Sequence, residues 1–202
     1  MKSVYVTRNL PGHALEKLTK EFKVTLHKKP APPSRKELLK NVAGKDALLC
    51  MLSDRIDSQV MDAAGPQLKI ISSYSTGFEH INVEEATRRG IFVTYTADIL
   101  AEATADLTFA LILSCARKVV EGDRMVRRGK WKVGWMPDLL LGHQIQGSTI
   151  GIIGMGRIGS AVARRAKGFG MNVLYYNRIK KDQDLATYSD IENLLSRSDF
   201  VS

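Results

Sequence analysis

Cysteine is nearly absent from this sequence, with Cys50 and Cys115 the two in 202 residues. A disulfide-built scaffold is thereby excluded. Both lie in apolar segments, so they read as buried free thiols in a reducing, cytoplasmic compartment rather than as a bridge or a metal pair. Long apolar runs are missing too. None approaches the ~20 residues of a membrane-spanning helix, and Met1-Lys2-Ser3-Val4-Tyr5-Val6 begins as a strand without signal-peptide architecture. Aromatic residues make up 7%, and no basic stretch is interleaved with them. The basic excess, 30 Lys and Arg against 21 Asp and Glu for a net charge of +9, is scattered along the chain. It reads first as a solvated basic surface; the sharper alternative is attraction for an anionic substrate and a phosphate-rich cofactor, and neither nucleic acid nor a membrane is expected as a partner. Neither zinc-finger spacing nor any other metal site is expected. Histidine is also sparse: His13, His27, His80 and His143, with none later.

What is present is an alternation of strand and helix signals. Val4 to Thr7, Val24 to His27, Ala47 to Leu52, Lys69 to Ser73 and Ile91 to Val93 are short apolar strands. Between them, Leu15, Leu18 and Phe22 fall at helical spacing. Ser34 with Glu37 makes a capping box, and Asn82 with Glu85 makes a second. Asp57 caps another helix that Gly65-Pro66 stops, and Gly90 ends the last. Five strands separated by helices predict an α/β fold with a parallel, flavodoxin-like sheet over residues 1–100, its loops, including Ser73 to Glu79, at the carboxyl edge. Ala101 to Val120 is the longest uninterrupted helical pattern and predicts a connector helix. An irregular arm over 122–146 follows, carrying Trp131, Trp135, Met136 and Leu139 to Leu141. Apolar groups on an arm predict a homodimer contact. Residues 101–146 thus link the first domain to a second, Rossmann-type domain that starts at 147 and is incomplete at 202.

The signature of that second domain is Gly154-Met155-Gly156-Arg157-Ile158-Gly159. An apolar strand, Thr149 to Ile153, precedes it. A helical stretch, Arg157 to Lys167, follows, and then a second strand, Asn172 to Tyr176. In such a unit the first glycine allows the tight turn, the second lets a pyrophosphate approach the backbone, and the third lets helix and strand pack closely. The helix N-terminus adds N–H groups and a partial positive charge. A carboxylate at the end of the second strand would bind the adenosine ribose hydroxyls and repel a 2′-phosphate. It is missing, and Asn177-Arg178-Ile179-Lys180-Lys181 stands there instead. Arg178 can grip a phosphate in a fork, and Lys180 or Lys181 can add charge, which predicts NADP(H) over NAD(H).

Several segments together resemble one family. They are Leu52-Ser53-Asp54, Tyr74-Ser75-Thr76-Gly77-Phe78, Glu84-Glu85-Ala86-Thr87-Arg88-Arg89-Gly90, Ala103-Thr104-Ala105-Asp106-Leu107 and Ile152-Ile153 with the glycine run. In this order, over nearly the whole chain, they resemble the D-isomer-specific 2-hydroxyacid dehydrogenases, nearest the glyoxylate/hydroxypyruvate reductase branch. The resemblance implies a two-lobed enzyme that reduces glyoxylate to glycolate, or hydroxypyruvate to D-glycerate, with hydride from a nicotinamide. It implies that backbone N–H groups of Ser75, Thr76 and Gly77 hold the substrate carboxylate, and that Leu52 and Ser53 line the same pocket. Thr104 would face the nicotinamide or its phosphate. Gly154 through Gly159 would hold the pyrophosphate, and Asn177, Arg178 and Ile179, with Lys180, the adenosine side.

The family's catalytic arginine, glutamate and histidine lie beyond Ser202, so no catalytic residue is assigned. His80 reads as a helix-entry residue. The expectation is a chain that ends in the third strand of the dinucleotide domain and is inactive alone. Ile150, Ile152 and Ile153 would then lie on an open apolar edge. The stretch from Lys181 to Ile191 is short, so the helix between the second and third strands is expected to be reduced. The alternative function is a truncated, non-catalytic homologue that binds nucleotide or a partner chain.

Overall fold

The computed structural model describes every residue except Asp98. The chain divides into two units, Met1–Ile99 and Leu100–Ser202, each with its own parallel sheet.

In the first unit the strands are β1 (Ser3–Val6), β2 (Lys23–Leu26), β3 (Ala47–Cys50), β4 (Ile70–Ser73) and β5 (Phe92–Tyr95), in the order β2-β1-β3-β4-β5. That is the flavodoxin-like order, in which loops at the carboxyl ends are free to carry a site. Four helices cover the sheet: α1 (Ala14–Glu21), α2 (Arg35–Val42), α3 (Ser58–Ala64) and α4 (Val83–Arg88). Alternation along β1 shows how both faces are used. Tyr5 enters a core with Leu38, Val42, Val60 and Met61, while Val4 and Val6 pack with Leu10, Leu15, Leu18 and Phe22. Local signals set the helix ends. Ser34 and Glu37 form the full reciprocal capping box of α2, and Asp57 caps α3 through Val60 N–H. Gly65 leaves α3 at φ +87°. The second expected box is only half formed. Asn82 Oδ1 accepts from Glu85 N–H at 3.0 Å, but the Glu85 carboxylate turns to Arg88 and Arg89. Charge-assisted bonds to two guanidiniums outcompete one backbone N–H.

The second unit opens with α5 (Ala101–Ala116) and α6 (Val119–Arg127). The expected single helix is therefore broken: Lys118 adopts a left-handed conformation at φ +52°, which ends α5 and restarts the chain as α6. The first part of the expected irregular arm is helical for the same reason. Cys115 is exposed rather than buried, because α5 turns Ala105, Phe109 and Ala116 inward instead. Cys50 is buried as expected.

The rest of this unit is β6 (Thr149–Ile153), α7 (Arg157–Gly168), β7 (Asn172–Tyr176), β8 (Thr187–Tyr188), α8 (Ile191–Arg197) and β9 (Phe200–Val201). The sheet order β8-β7-β6-β9 corrects two expectations. The third strand is the two-residue β8, too short to leave a period in the sequence. The final strand is the fourth, β9, which pairs with β6. Ile150 and Ile152 therefore do not lie on an open edge. Both are buried against α7 and α5, with Ala105, Phe109, Ala161 and Val162, while Ile153 remains half exposed at 48%. No helix forms between Asn177 and Ala186. On the other face, α8 seats Leu194 over Gly151.

Candidate functional site

Three glycines shape the turn between β6 and α7, and each meets a different constraint. Gly154 sits at φ +102°, where an L side chain is strained. A Cβ on Gly159 would strike the Gly154 carbonyl oxygen and come within 3.1 Å of Ile152 Cγ2. Gly156 has neither excuse. It is extended, at φ −84° and ψ −158°, and a Cβ there would meet nothing within 4 Å among the described residues. Nothing among the described residues requires a glycine here, and they leave the space in front of it open. Gly156 is also the N-cap of α7, and no side chain among the described residues caps that end. Within the run, Met155 points into the core at 2% exposure, and Ile158 stays half exposed. Arg157 begins the helix and is exposed.

The end of β7 is tied to this turn. Asn177 Oδ1 accepts the Met155 N–H at 2.7 Å, and Lys181 Nζ donates to the Met155 carbonyl at 2.8 Å. Lys181 backbone and the Tyr175 hydroxyl bond each other as well. Lys181 is therefore spent on the glycine turn rather than projecting as a free cation. Lys180 lies 5.8 Å from the Tyr188 ring centroid. Arg178 is exposed without a partner among the described residues, and Ile179 is 82% exposed. The turn, Asn177, Arg178, Ile179 and Lys180 are thus neighbours at the carboxyl ends of β6 and β7. Thr104, half-buried on α5, precedes Ala105, which shares a core with Met155. Arg165 on α7 clamps this helix through Asp106 at 2.5 Å and Glu102 at 2.8 Å. The Arg165 hydrogen bond holds the Glu102 carboxyl below its usual range.

In the first unit the loops after β3 and β4 emerge from the carboxyl edge. Leu52 and Ser53 lie in the first of these loops, exposed. Buried Asp54 anchors it, accepting from Thr7 Oγ1 at 2.5 Å and Met51 N–H at 2.8 Å. Arg8 donates to Ser53 Oγ at 3.0 Å. Nothing in the sequence around Asp54 suggests this task; its partner Thr7 is 47 positions away. Ser75, Thr76 and Gly77 lie in the second loop. Ser75 Oγ donates to the Gly77 carbonyl at 2.6 Å, and Thr96 N–H donates to Ser75 O at 2.9 Å. The atoms a Cβ at Gly77 would meet first are those of the Glu79 carboxylate, the mobile end of a side chain. Close packing within the fold therefore does not explain that glycine. His80 precedes the α4 N-cap by two residues and has its ring against Ser73, a contact that a helix-entry role does not require.

Among the described residues, no group of three or more His, Cys, Asp or Glu could hold a metal ion. No helix among them is long and apolar enough to cross a membrane.

This pair of parallel sheets with a glycine turn has clear relatives. Residues 109–202 match the D-isomer specific 2-hydroxyacid dehydrogenase NAD binding domain. Over 98% of its length the chain is 51% identical to a glyoxylate reductase of Korarchaeum cryptofilum, of which it covers 61%. A crystal structure of the TT0316 protein from Thermus thermophilus is 48% identical and superimposes with a TM-score of 0.93, covering 98% of this chain and 63% of that one. A dehydrogenase from Rhizobium meliloti is 31% identical with a TM-score of 0.79, covering 98% and 68% respectively. The chain belongs to the D-isomer specific 2-hydroxyacid dehydrogenase family. It spans 60% to 62% of the length of the first three curated relatives it matches.

Proposed function

We propose that this chain carries the reactant-holding parts of an NADP(H)-dependent reductase of small 2-oxo acids, converting glyoxylate to glycolate or hydroxypyruvate to D-glycerate. The observation that carries the reading is Gly156, a glycine the fold does not need, facing open space at an uncapped helix N-terminus. A pyrophosphate needs that space and those backbone dipoles. Gly154, Met155, Gly156, Arg157, Ile158 and Gly159 form its cradle, with Thr104 on the nicotinamide side. When bound, the nicotinamide supplies the hydride that a 2-oxo carbon accepts. Ser75, Thr76 and Gly77 hold the acid's carboxylate through backbone N–H groups, and Leu52 and Ser53 line its pocket. The 202 residues bind and orient; none of them is assigned the proton donation, so they are not expected to turn over by themselves.

NADP(H) is favoured over NAD(H) by the charge around the adenosine. Asn177 brings no negative charge to the end of β7, and Arg178 is exposed and unpartnered among the described residues. Ile179 and Lys180 complete that side. Residues 1–100 are assigned to the substrate, 101–146 to connection and dimerisation, and 147–202 to the cofactor. Exposed Trp131, Trp135, Met136 and Leu141 support a homodimer through the 122–146 arm. Two free thiols fit a cytoplasmic enzyme.

The test is a fluorescence titration of the purified chain with NADPH and NADH. The expected result is binding of both, with NADPH tighter by about tenfold from one added charge-assisted contact. Equal affinities would overturn the NADP(H) preference, and no binding of either would overturn the dinucleotide reading. Stable capture of a partner chain without nucleotide would favour a non-catalytic homologue.

A further inference from the structure

The ring of His80 enters a chain of hydroxyls that ends on the loop assigned to the substrate carboxylate. His80 Nε2 lies 3.0 Å from Ser73 Oγ, Ser73 Oγ lies 2.6 Å from Ser75 Oγ, and Ser75 Oγ lies 2.6 Å from the Gly77 carbonyl. The direction of this chain follows from counting protons. A carbonyl only accepts, so the single Ser75 hydroxyl proton is committed to Gly77. Ser75 then has no proton for Ser73, and Ser73 must donate to it. Ser73 has no second proton either, so His80 Nε2–H must donate to Ser73. The imidazole is thereby fixed as the Nε2–H tautomer.

The surroundings of the ring fit that state. Nδ1, the acceptor nitrogen in this tautomer, is buried with no hydrogen-bond partner among the described residues. Burial also lowers the His80 pKa, against opposing charges from Asp54 and Glu79. Buried Cys50, 3.9 Å from Nε2, has its thiol pushed up to about 12, mainly by burial, so no thiolate competes for the proton. The backbone is pinned as well, since the His80 carbonyl accepts from Ile56 N–H at 2.9 Å, beside the Ile56–Ile81 bridge.

We infer that His80 is a positioning residue for 2-oxo acid binding: through Ser73 and Ser75 it turns the Gly77 carbonyl into the protein and leaves the loop's N–H groups facing the carboxylate. This rests on the proposed substrate role of Ser75 to Gly77. A carbonyl and the following N–H belong to one rigid peptide plane. Tethering the Gly77 oxygen to Ser75 Oγ therefore keeps that acceptor from turning toward an anion and fixes the peptide that closes the loop, with the Phe78 N–H in the same plane. His80 touches neither substrate nor cofactor in this role, so its effect is on acid binding and not on the dinucleotide.

The test uses the 15N-labelled chain of residues 1–202, with oxamate, a non-reducible 2-oxo acid analogue, as the probe, in the presence and absence of NADPH. Wild-type imidazole nitrogen shifts should report the Nε2–H tautomer, and the amides of Ser75, Thr76 and Gly77 should move on oxamate addition. His80→Phe removes the donor. It should weaken oxamate by about tenfold, the cost of one lost hydrogen bond to a charged-ligand loop, while NADPH affinity changes by less than about twofold. His80→Gln places an N–H near the same position and should recover most of the oxamate affinity. Should the Phe variant fail to fold, Ser73→Ala cuts the chain at its centre and should give the same selective loss. If oxamate moves no loop amide in the wild type, the substrate reading falls and this inference falls with it. If the wild type binds and the donor-free variants bind equally well, or if the ring is the Nδ1–H tautomer, the substrate reading stands and this inference alone is overturned.

Discussion

The two units fix the loops at the carboxyl ends of their strands by opposite means. In the first, side chains do the holding: Asp54 anchors the loop of Leu52 and Ser53, and the Ser73–Ser75 hydroxyls fasten the loop of Thr76 and Gly77. In the second, the backbone itself is the device. Gly154 supplies the left-handed turn and Gly159 the close approach, and the Asn177 and Lys181 side chains hook the two ends of Met155. Side-chain networks tolerate conservative exchange, because another donor can fill the same place. A backbone turn that depends on missing Cβ atoms tolerates none. The first unit should therefore degrade gradually on substitution, and the second abruptly.

The sharpest way to break this contrast is at Gly156, where fold and function separate. Gly156→Val adds a side chain to empty space in an extended conformation that valine accepts. The unit should fold with little loss, yet the dinucleotide should lose about two charge-assisted backbone contacts. At roughly 1.5 kcal/mol each, that weakens NADPH by on the order of a hundredfold. Calorimetric titration with a thermal melt reads both quantities. Loss of stability with intact affinity would reverse the assignment.

Gly159→Ala should show the complementary behaviour. Its methyl would strike the Gly154 carbonyl oxygen, a backbone atom that cannot swing aside. Overpacking of this kind costs about 1–3 kcal/mol, and amide exchange in β6 and α7 should accelerate while the first unit is unchanged. Equal exchange in both units would mean that the close approach is relieved elsewhere.

The adenosine side gives a smaller effect and refines the reading of Asn177. Because Asn177 Oδ1 accepts from Met155 N–H, Asn177→Asp keeps that hook and adds only a charge. Preference should move toward NADH by about tenfold, from repulsion of the 2′-phosphate at near-contact distance, with no loss of stability. Competitive titration of the two dinucleotides measures it. An unchanged ratio would show that the 2′-phosphate is not read at this position.

The same contrast explains what the sequence revealed. The glycine turn, β6 and β7 were legible because backbone constraints fall on residue type at fixed spacing, and a glycine is visible as a letter. The first sheet was legible through period and caps, most clearly Ser34 with Glu37. The tethers were not legible. Thr7 meets Asp54, and Lys181 meets Met155, across distances along the chain that carry no periodic signal. The flanks of the four-stranded sheet, β8 beside β7 and β9 beside β6, are not legible because each has two residues, below the length at which alternation can be recognised. Exposed Cys115 was missed because its apolar neighbours share a helix but not a face.

The smallest predicted effect concerns acid, and it again divides the units. Four carboxylates of the first unit are held below their usual range. The Lys29 and Ser34 hydrogen bonds bring Glu37 to about 2, Arg88 and Arg89 bring Glu85 to about 2, and Lys2 with Ser3 lowers Asp46. Burial opposes the shift at Asp57, but Arg35 and Val60 N–H outweigh it. In the second unit Glu102 is the one carboxylate with a resolved lowering among the described residues. A carboxyl with a depressed folded pKa binds fewer protons folded than unfolded, so its stabilisation is present above the unfolded value and is lost as pH falls. For Glu37 and Glu85 that window runs from about 4.5 down to about 2. All these groups keep some contact with solvent, so salt weakens their interactions. Amide exchange recorded across this window should therefore loosen β1 to β5 earlier than β6 and β7. Ser34→Ala should cost the first unit about 1 kcal/mol near neutral pH, the usual cost of a lost N-cap hydroxyl. That cost should shrink toward pH 2, because protonating Glu37 already dismantles its half of the capping box. A cost independent of pH would mean that the hydroxyl acts alone and that the Glu37 carboxylate contributes nothing to the cap.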